Sequence, residues 1–322
     1  MTRRDPARWI RTVSLLALVW LAGCQPAPAS SIAEHMQSLA DLQPASLAAG
    51  DRLRVVATTT LVADAVRRVA GEDIDLTTLL QTGTDPHAYE PAPQDARALA
   101  QADVVFLNGF GLERFLEDRV LLAATTAPFV SLSEGIRPLR LGGGSGEEDP
   151  HVWLDPRNVV VWAENAGEAL AKLDPIHAEA YRGRATEYRH ELEALDQRLA
   201  DRLDTIPPEA RKLVTDHDTL GYFAARFGFT LVGAIVPSAS SSADVSAREF
   251  AALEEAVRRE GVRAVFNAAE VNPDLGRRLA DDTGARFVPL YLESLTGPDG
   301  PAPTYVDLME YDVKAIVQGL SP

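Results

Sequence analysis

The sequence predicts an α/β protein of two parallel-sheet lobes joined by one long rigid helix, and three observations carry that prediction. Short β-branched runs alternate with amphipathic stretches from Leu53 to Leu132, and the same alternation starts again near Lys212. Between the two cycles lies Pro175–Leu203, about 28 residues of helix-forming sequence whose only internal breaker is Gly183. A chain of 322 residues suits two domains of about 120–150 residues each.

In the first cycle the strand candidates are Leu53–Ala57, Ile74–Leu80, Val104–Asn108 and Phe129–Leu132, with helices at Leu61–Ala70, Pro93–Gln101 and Gly111–Ala124. Strand-helix-strand order demands parallel pairing, because a crossover helix returns the chain to the same end of the sheet. In the second cycle the strands are Lys212–Thr215, Thr230–Val236, Arg263–Asn267 and Arg286–Tyr291. Its helices are Leu220–Phe227, Ala247–Glu260, Pro273–Thr283 and Tyr305–Gly319, and Ser246 with Glu249 has the form of a capping box. The run between the cycles would extend roughly 40 Å at 1.5 Å per residue. Its apolar repeat (Leu192, Leu195, Leu199, Leu203) spans too few heptads for a coiled-coil dimer, so it reads as a strut. The expected division is therefore 51–174 for the first lobe, 175–204 for the linking helix and 205–322 for the second lobe.

Residues 1–23 read as a lipoprotein signal peptide. Arg3, Arg4, Arg8 and Arg11 precede the apolar stretch Val13–Ala22, which is too short for an ordinary spanning helix. Leu21-Ala22-Gly23-Cys24 resembles a bacterial lipobox, and Cys24, the only cysteine of the chain, is the expected lipidation site. From residue 24 to 50 Pro, Ala and Ser dominate, the composition of a flexible tether, with a short helix near Ile32–Leu42 and a solvated His35.

Composition excludes several classes of function. No segment is long and apolar enough for a multi-pass membrane protein. Thirty-one basic against 47 acidic side chains give a net charge of −16, without the basic footprint that nucleic acid requires. A single cysteine excludes a disulfide scaffold and a cysteine-cluster zinc finger.

The polar chemistry gathers around histidine. His177 and His190 lie thirteen positions apart on the long helix, roughly 220° around its axis, so they cannot share an ion. His87 follows the strand at 74–80, His217 follows the strand at 212–215, and Glu293 follows the strand at 286–291. Ligands of open α/β sheets gather at such carboxyl ends. His151 sits in Asp149-Pro-His-Val-Trp-Leu-Asp-Pro156, and Asp-Pro-His occurs twice, at 85–87 and 149–151. Neutral imidazoles with one carboxylate suit Zn²⁺, and Asp85, Asp216 or Asp218 could orient an imidazole by accepting its second N–H. The candidates are 64, 66 and 76 residues apart, however, so no local spacing brings them together. One at a time, each histidine reads more simply as a hydrogen-bonded loop residue.

Four segments resemble the metal-binding lipoproteins of zinc and manganese ABC importers, the cluster A-I solute-binding proteins. They are Thr84–Pro91, Asp149–Pro156, Thr215–Phe223, and Glu293–Gly297 with Thr304-Tyr305, in register along about residues 53 to 320 and with the lipobox in front. The resemblance implies two α/β lobes on a long helix with the metal in the cleft, and a ligand set of His87, His151, His217 and Glu293. It implies an extracytoplasmic, lipid-anchored monomer that delivers its ion to an ABC permease and the permease's ATPase. The family commonly has Asp where Glu293 stands, and many zinc members carry a His-rich loop where this chain has Leu141-Gly-Gly-Gly-Ser-Gly-Glu-Glu148. Manganese members tend to place Glu at the position of His217, so three imidazoles make Zn²⁺ the expected cargo and Mn²⁺ the alternative. A zinc hydrolase or a surface adhesin would be the readings from other classes. Four protein ligands leave no open position for water, and HExxH, GxSxG and GxxxxGK[ST] are all missing, so the expectation is a carrier and not an enzyme.

Overall fold

The computed structural model describes residues 32–48, 50–117, 119–141 and 146–321. The signal peptide, Cys24 and the stretch 142–145 lie outside the described residues.

After a single turn α1 (Ile32–His35), the first lobe runs β1 (Leu53–Ala57), α2 (Thr60–Ala70), β2 (Ile74–Thr78), α3 (Pro93–Gln101), β3 (Val104–Leu107), α4 (Arg119–Ala124), β4 (Phe129–Ser131). Two packed helices follow, α5 (Pro156–Leu173) and α6 (Ala178–Leu203). The second lobe runs β5 (Lys212–His217), α7 (Gly221–Phe227), β6 (Thr230–Val236), α8 (Ala247–Glu260), β7 (Ala264–Ala268), α9 (Asp274–Thr283), β8 (Arg286–Leu290), α10 (Tyr305–Leu320). Both sheets are parallel and have the same order, β2-β1-β3-β4 and β6-β5-β7-β8. The inner strands β3 and β7 are buried along their whole length, as helices on both faces require, while the edge strand β2 alternates.

Helix α6 is the strut. Tyr181, Ala185, Tyr188, Leu192, Leu195, Leu199 and Leu203 recur every three or four positions and bury one continuous face. Near its start Arg184 donates to Val69 O, Ala70 O and Asp73 of the first lobe, each at 2.7 Å. Further along, Arg198 bonds Glu310 of α10 and Asp196 accepts from Arg226 of α7. The helix is thus fastened to one lobe at each end. The capping box at Ser246 is present, with Ser246 N to Glu249 Oε2 at 2.9 Å and Glu249 N to Ser246 Oγ at 3.2 Å.

Three expectations need correction. The helix expected at Gly111–Ala124 is a turn, a 3₁₀ segment at Arg114–Glu117 and the short α4. Gly109, Phe110 and Gly111 all have positive φ, and Glu113 folds back to accept the N–H of Asn108 and Gly109, which commits the chain to a loop. The tether at 24–50 is docked over its described part. Gln37 donates to Phe129 O, Ala45 to Leu173 O, and Leu42 is buried against the first lobe. His35, expected to be solvated, is half-buried, with its ring 5.2 Å from that of Phe129. Among the described residues no helix is long and apolar enough to cross a membrane.

Candidate metal centre

Each of the four candidate side chains is delivered by a different loop or strand end. His87 stands in the loop after β2, His151 just before the 3₁₀ turn Val152–Leu154 that leads into α5, His217 is the last residue of β5, and Glu293 follows β8. Their donor atoms all lie within 4.8 Å of one another. His87 Nε2 is 3.2 Å from His151 Nε2, and Glu293 Oε1 is 3.4 Å from His217 Nε2 and 3.7 Å from His151 Nε2. Glu293 Oε2 is 3.9 Å from His87 Nε2. Donors arranged tetrahedrally at about 2.0–2.1 Å from an ion are separated by about 3.3 Å, so a four-coordinate ion needs only a slight contraction of this cluster. His217 Nε2 and Glu293 Oε2 are buried with no hydrogen-bond partner, a costly arrangement unless something else satisfies them.

The ring orientations are built in. Asp149 Oδ1 is 2.7 Å from His151 Nδ1, and Asp216 Oδ2 is 2.6 Å from His217 Nδ1, so each Nε2 is turned toward the cluster. Asp216 is itself held by the N–H of Ala268 at 2.9 Å. Of the three aspartates expected to orient imidazoles, only Asp216 does so. Asp85 accepts the backbone N–H of His87, and Asp218 donates its own backbone N–H to Ser238 O. Asp149 takes the role instead, and Gly221 makes room for it, because a Cβ there would lie 2.5 Å from Asp149 Oδ2.

Glu293 is clamped from the opposite lobe. The Trp153 indole donates to Leu292 O at 2.8 Å, Leu295 N donates to Thr60 Oγ1 at 2.9 Å, and Ser294 Oγ accepts from Gly83 N at 2.9 Å. Across the other side of the cleft, Ser241 donates to Asp85 Oδ2 and Ser242 to His87 O. A cavity of about 140 Å³ opens beside His87, lined among others by Tyr89, Phe110, Arg114 and Glu148. No local pattern announced these contacts of Trp153, Thr60, Ser294 and Ser241, since their partners are 139 to 235 residues away.

Electrostatics divide the cluster. Burial drives the His87 imidazole down to about 3, against the attraction of Glu293. Burial also disfavours charge on His217, but Asp216 at its Nδ1 and the Glu293 carboxylate outweigh it and raise the value to about 10. Burial would raise Glu293, yet the histidines, His151 foremost, bring it down to about 2. The surroundings thus favour the charged forms of His217 and Glu293 and the neutral form of His87. His177 and His190 stand apart: His177 bonds Asp174 ahead of α6, and His190 is exposed on it.

A family model described as zinc-uptake complex component A, periplasmic (ZnuA), matches residues 55–319. The iron-binding protein YfeA of Yersinia pestis is 32% identical over 285 residues, covering 88% of this chain and 90% of that protein. The manganese-binding lipoprotein MntA of Halalkalibacterium halodurans is 32% identical over 273 residues, covering 84% and 90%. Among solved structures, the periplasmic zinc binding protein TroA of Treponema pallidum matches with a TM-score of 0.79 at 27% identity, over 84% of this chain and all of that one. The Mn-bound periplasmic metal binding protein of Candidatus Liberibacter asiaticus matches with a TM-score of 0.76 at 28% identity, over 84% and 100%. With its paired sheets and a family match over most of its length, the chain belongs to the ZnuA family, metal-binding components of ABC importers that are transport proteins and not enzymes.

Proposed function

We propose that this protein captures Zn²⁺ outside the cytoplasm, with His87, His151, His217 and Glu293 as its ligands, and delivers it to an ABC permease and its ATPase. The observation that carries the reading is the convergence of three imidazole Nε2 atoms on one carboxylate, with two of the four donors buried and otherwise unsatisfied. Three nitrogens and one oxygen favour zinc, a borderline-soft ion without geometric demands of its own. On this reading the lobes 51–174 and 205–322 close on the ion about helix 175–204, and the chain works as a monomer anchored by lipid on Cys24. Four donors complete the ion's shell, which suits a carrier and leaves no place for a hydrolytic water.

Mn²⁺ is the second reading, supported by relatives named for manganese. Residues 25–322, stripped of metal and titrated with Zn²⁺ and Mn²⁺ in competition, should bind one Zn²⁺ per chain in preference to Mn²⁺. A preference for Mn²⁺ would overturn the zinc assignment. His217→Glu replaces a nitrogen by a hard oxygen, so it should raise the Mn²⁺:Zn²⁺ affinity ratio, while the same change at exposed His190 should leave the ratio alone. Cys24→Ser should abolish lipid labelling; labelling at the unmodified level would remove Cys24 as the anchor.

A further inference from the structure

Thr219 lies two residues beyond His217 and is fully buried. Its N–H donates to His217 O at 2.8 Å, closing a tight turn at the end of β5, and its hydroxyl donates to Glu293 Oε1 at 3.3 Å. The other carboxylate oxygen, Oε2, has no hydrogen-bond partner. The two oxygens of Glu293 thus differ before any ion arrives, one held by a hydroxyl and one free. The main chain on both sides of Glu293 is fastened by Trp153 and Thr60. The Glu293 side chain is fully buried, and the last torsion, which turns the carboxylate, is intrinsically broad and roughly two-fold. The Thr219 hydroxyl resists that rotation.

We propose that Thr219 is a positioning residue that sets metal selectivity by holding Glu293 as a one-oxygen donor. This rests on the four-ligand reading above. The hydroxyl pins Oε1, which lies 3.4 and 3.7 Å from the imidazoles of His217 and His151, so the carboxylate presents one oxygen to the ion, and three imidazoles with one oxygen make the four-coordinate set of Zn²⁺. Freed from Thr219, the carboxylate can turn both oxygens to the ion. Coordination then rises to five with a second hard oxygen, which favours Mn²⁺ relative to Zn²⁺.

The test uses residues 25–322 with Thr219→Val, Thr219→Ala and Thr219→Ser, each titrated with Zn²⁺ and Mn²⁺ in competition and loaded with Co²⁺ as an optical probe. Removing the hydroxyl as Val or Ala should raise the Mn²⁺:Zn²⁺ affinity ratio by about tenfold, the lower end for losing a partner that orients a ligand. It should also weaken the intense visible bands of tetrahedral Co²⁺. Thr219→Ser, which keeps the hydroxyl, should restore both. An unchanged ratio and unchanged Co²⁺ bands in Val and Ala would overturn the role, as would an equal shift in Ser. His217→Ala separates the two levels. If it abolishes Zn²⁺ binding while the Thr219 variants change nothing, the ligand set stands and only the Thr219 inference falls; if it leaves Zn²⁺ binding intact, both fall.

Discussion

At both Asp85-Pro-His87 and Asp149-Pro-His151 the aspartate carboxylate accepts the histidine's backbone N–H, at 2.8 and 3.0 Å, so the same tripeptide makes the same turn twice. Beyond the turn the two part company. Asp149 also takes the ring Nδ1 of His151, whose side chain is fully buried. Asp85 sends its second oxygen to Ser241 in the other lobe, and the His87 side chain keeps 7% of its surface at the mouth of the cleft. Local sequence dictates the turn, whereas the surroundings decide whether the aspartate also aims the ring. On the proposed ligand set His151 is the preset donor, and His87, less enclosed and without the aspartate that His151 has on its ring, the less constrained one.

The largest expected effect separates these roles by stability. His151→Ala removes a donor and leaves the buried Asp149 carboxylate without its ring partner. It should lower Zn²⁺ affinity by more than about 100-fold, above the range for losing a merely orienting partner. It should also cost the metal-free protein about 1–3 kcal/mol in denaturant unfolding. His87→Ala should lose affinity too but leave metal-free stability nearly unchanged. Equal destabilisation by the two would break the comparison.

Next in size is pH. With His217 raised to about 10, an incoming ion must displace its proton at neutral pH, so Zn²⁺ affinity should climb about tenfold per pH unit between about pH 7 and 9. His87, brought down to about 3, adds nothing in that window. The slope should flatten in His217→Gln and persist in His87→Gln; buffer-dependent calorimetry measures the proton released. Stability of the metal-free chain carries the opposite signs. The His217 contribution is full below about pH 6.5 and is lost as pH rises toward about 10. The His87 contribution is full above about pH 6.5 and is lost as pH falls toward about 3. Between these two residues the melting temperature should peak near pH ~6.5.

Asp149→Asn should then cost about 10–100-fold in Zn²⁺ affinity and Asp85→Asn less than about tenfold, because only the first aims a ring. Competition titration of the pair sharpens the contrast, and equal losses would dissolve it. The smallest effect belongs to Ser241→Ala, which removes one hydrogen bond across the cleft. At about 1 kcal/mol it should change affinity no more than about fivefold. It should quicken Zn²⁺ release in stopped-flow chelation, where an unchanged rate would leave Ser241 without a part in holding His87.

Most of the fold was legible because it rests on periodicity. The eight strands and most helices follow the alternation of β-branched runs and amphipathic stretches, and Thr230–Val236 and Ala247–Glu260 coincide with their expected bounds. The misses have causes of a different kind. At Gly109–Gly111 three consecutive left-handed residues and the Glu113 carboxylate overrule a helical pattern. The docked segment around Leu42 reads as tether because its hydrogen bonds reach Phe129 and Leu173, far along the chain.

The sequence by itself determined the two α/β cycles, the long helix between them, and which residue types stand at the strand ends, because helix and strand periods and turn chemistry act over a few residues. It also determined the paired Asp-Pro-His turns. Only the tertiary structure decided that His87, His151, His217 and Glu293 lie within 4.8 Å of one another, and that Asp149 and Asp216 aim two of the rings. Only there does Thr219, 74 residues from Glu293, reach one oxygen of its carboxylate. Such contacts join segments whose separation leaves no trace in local pattern; they form when two separately specified lobes are packed along one helix and the buried polar atoms between them must find partners.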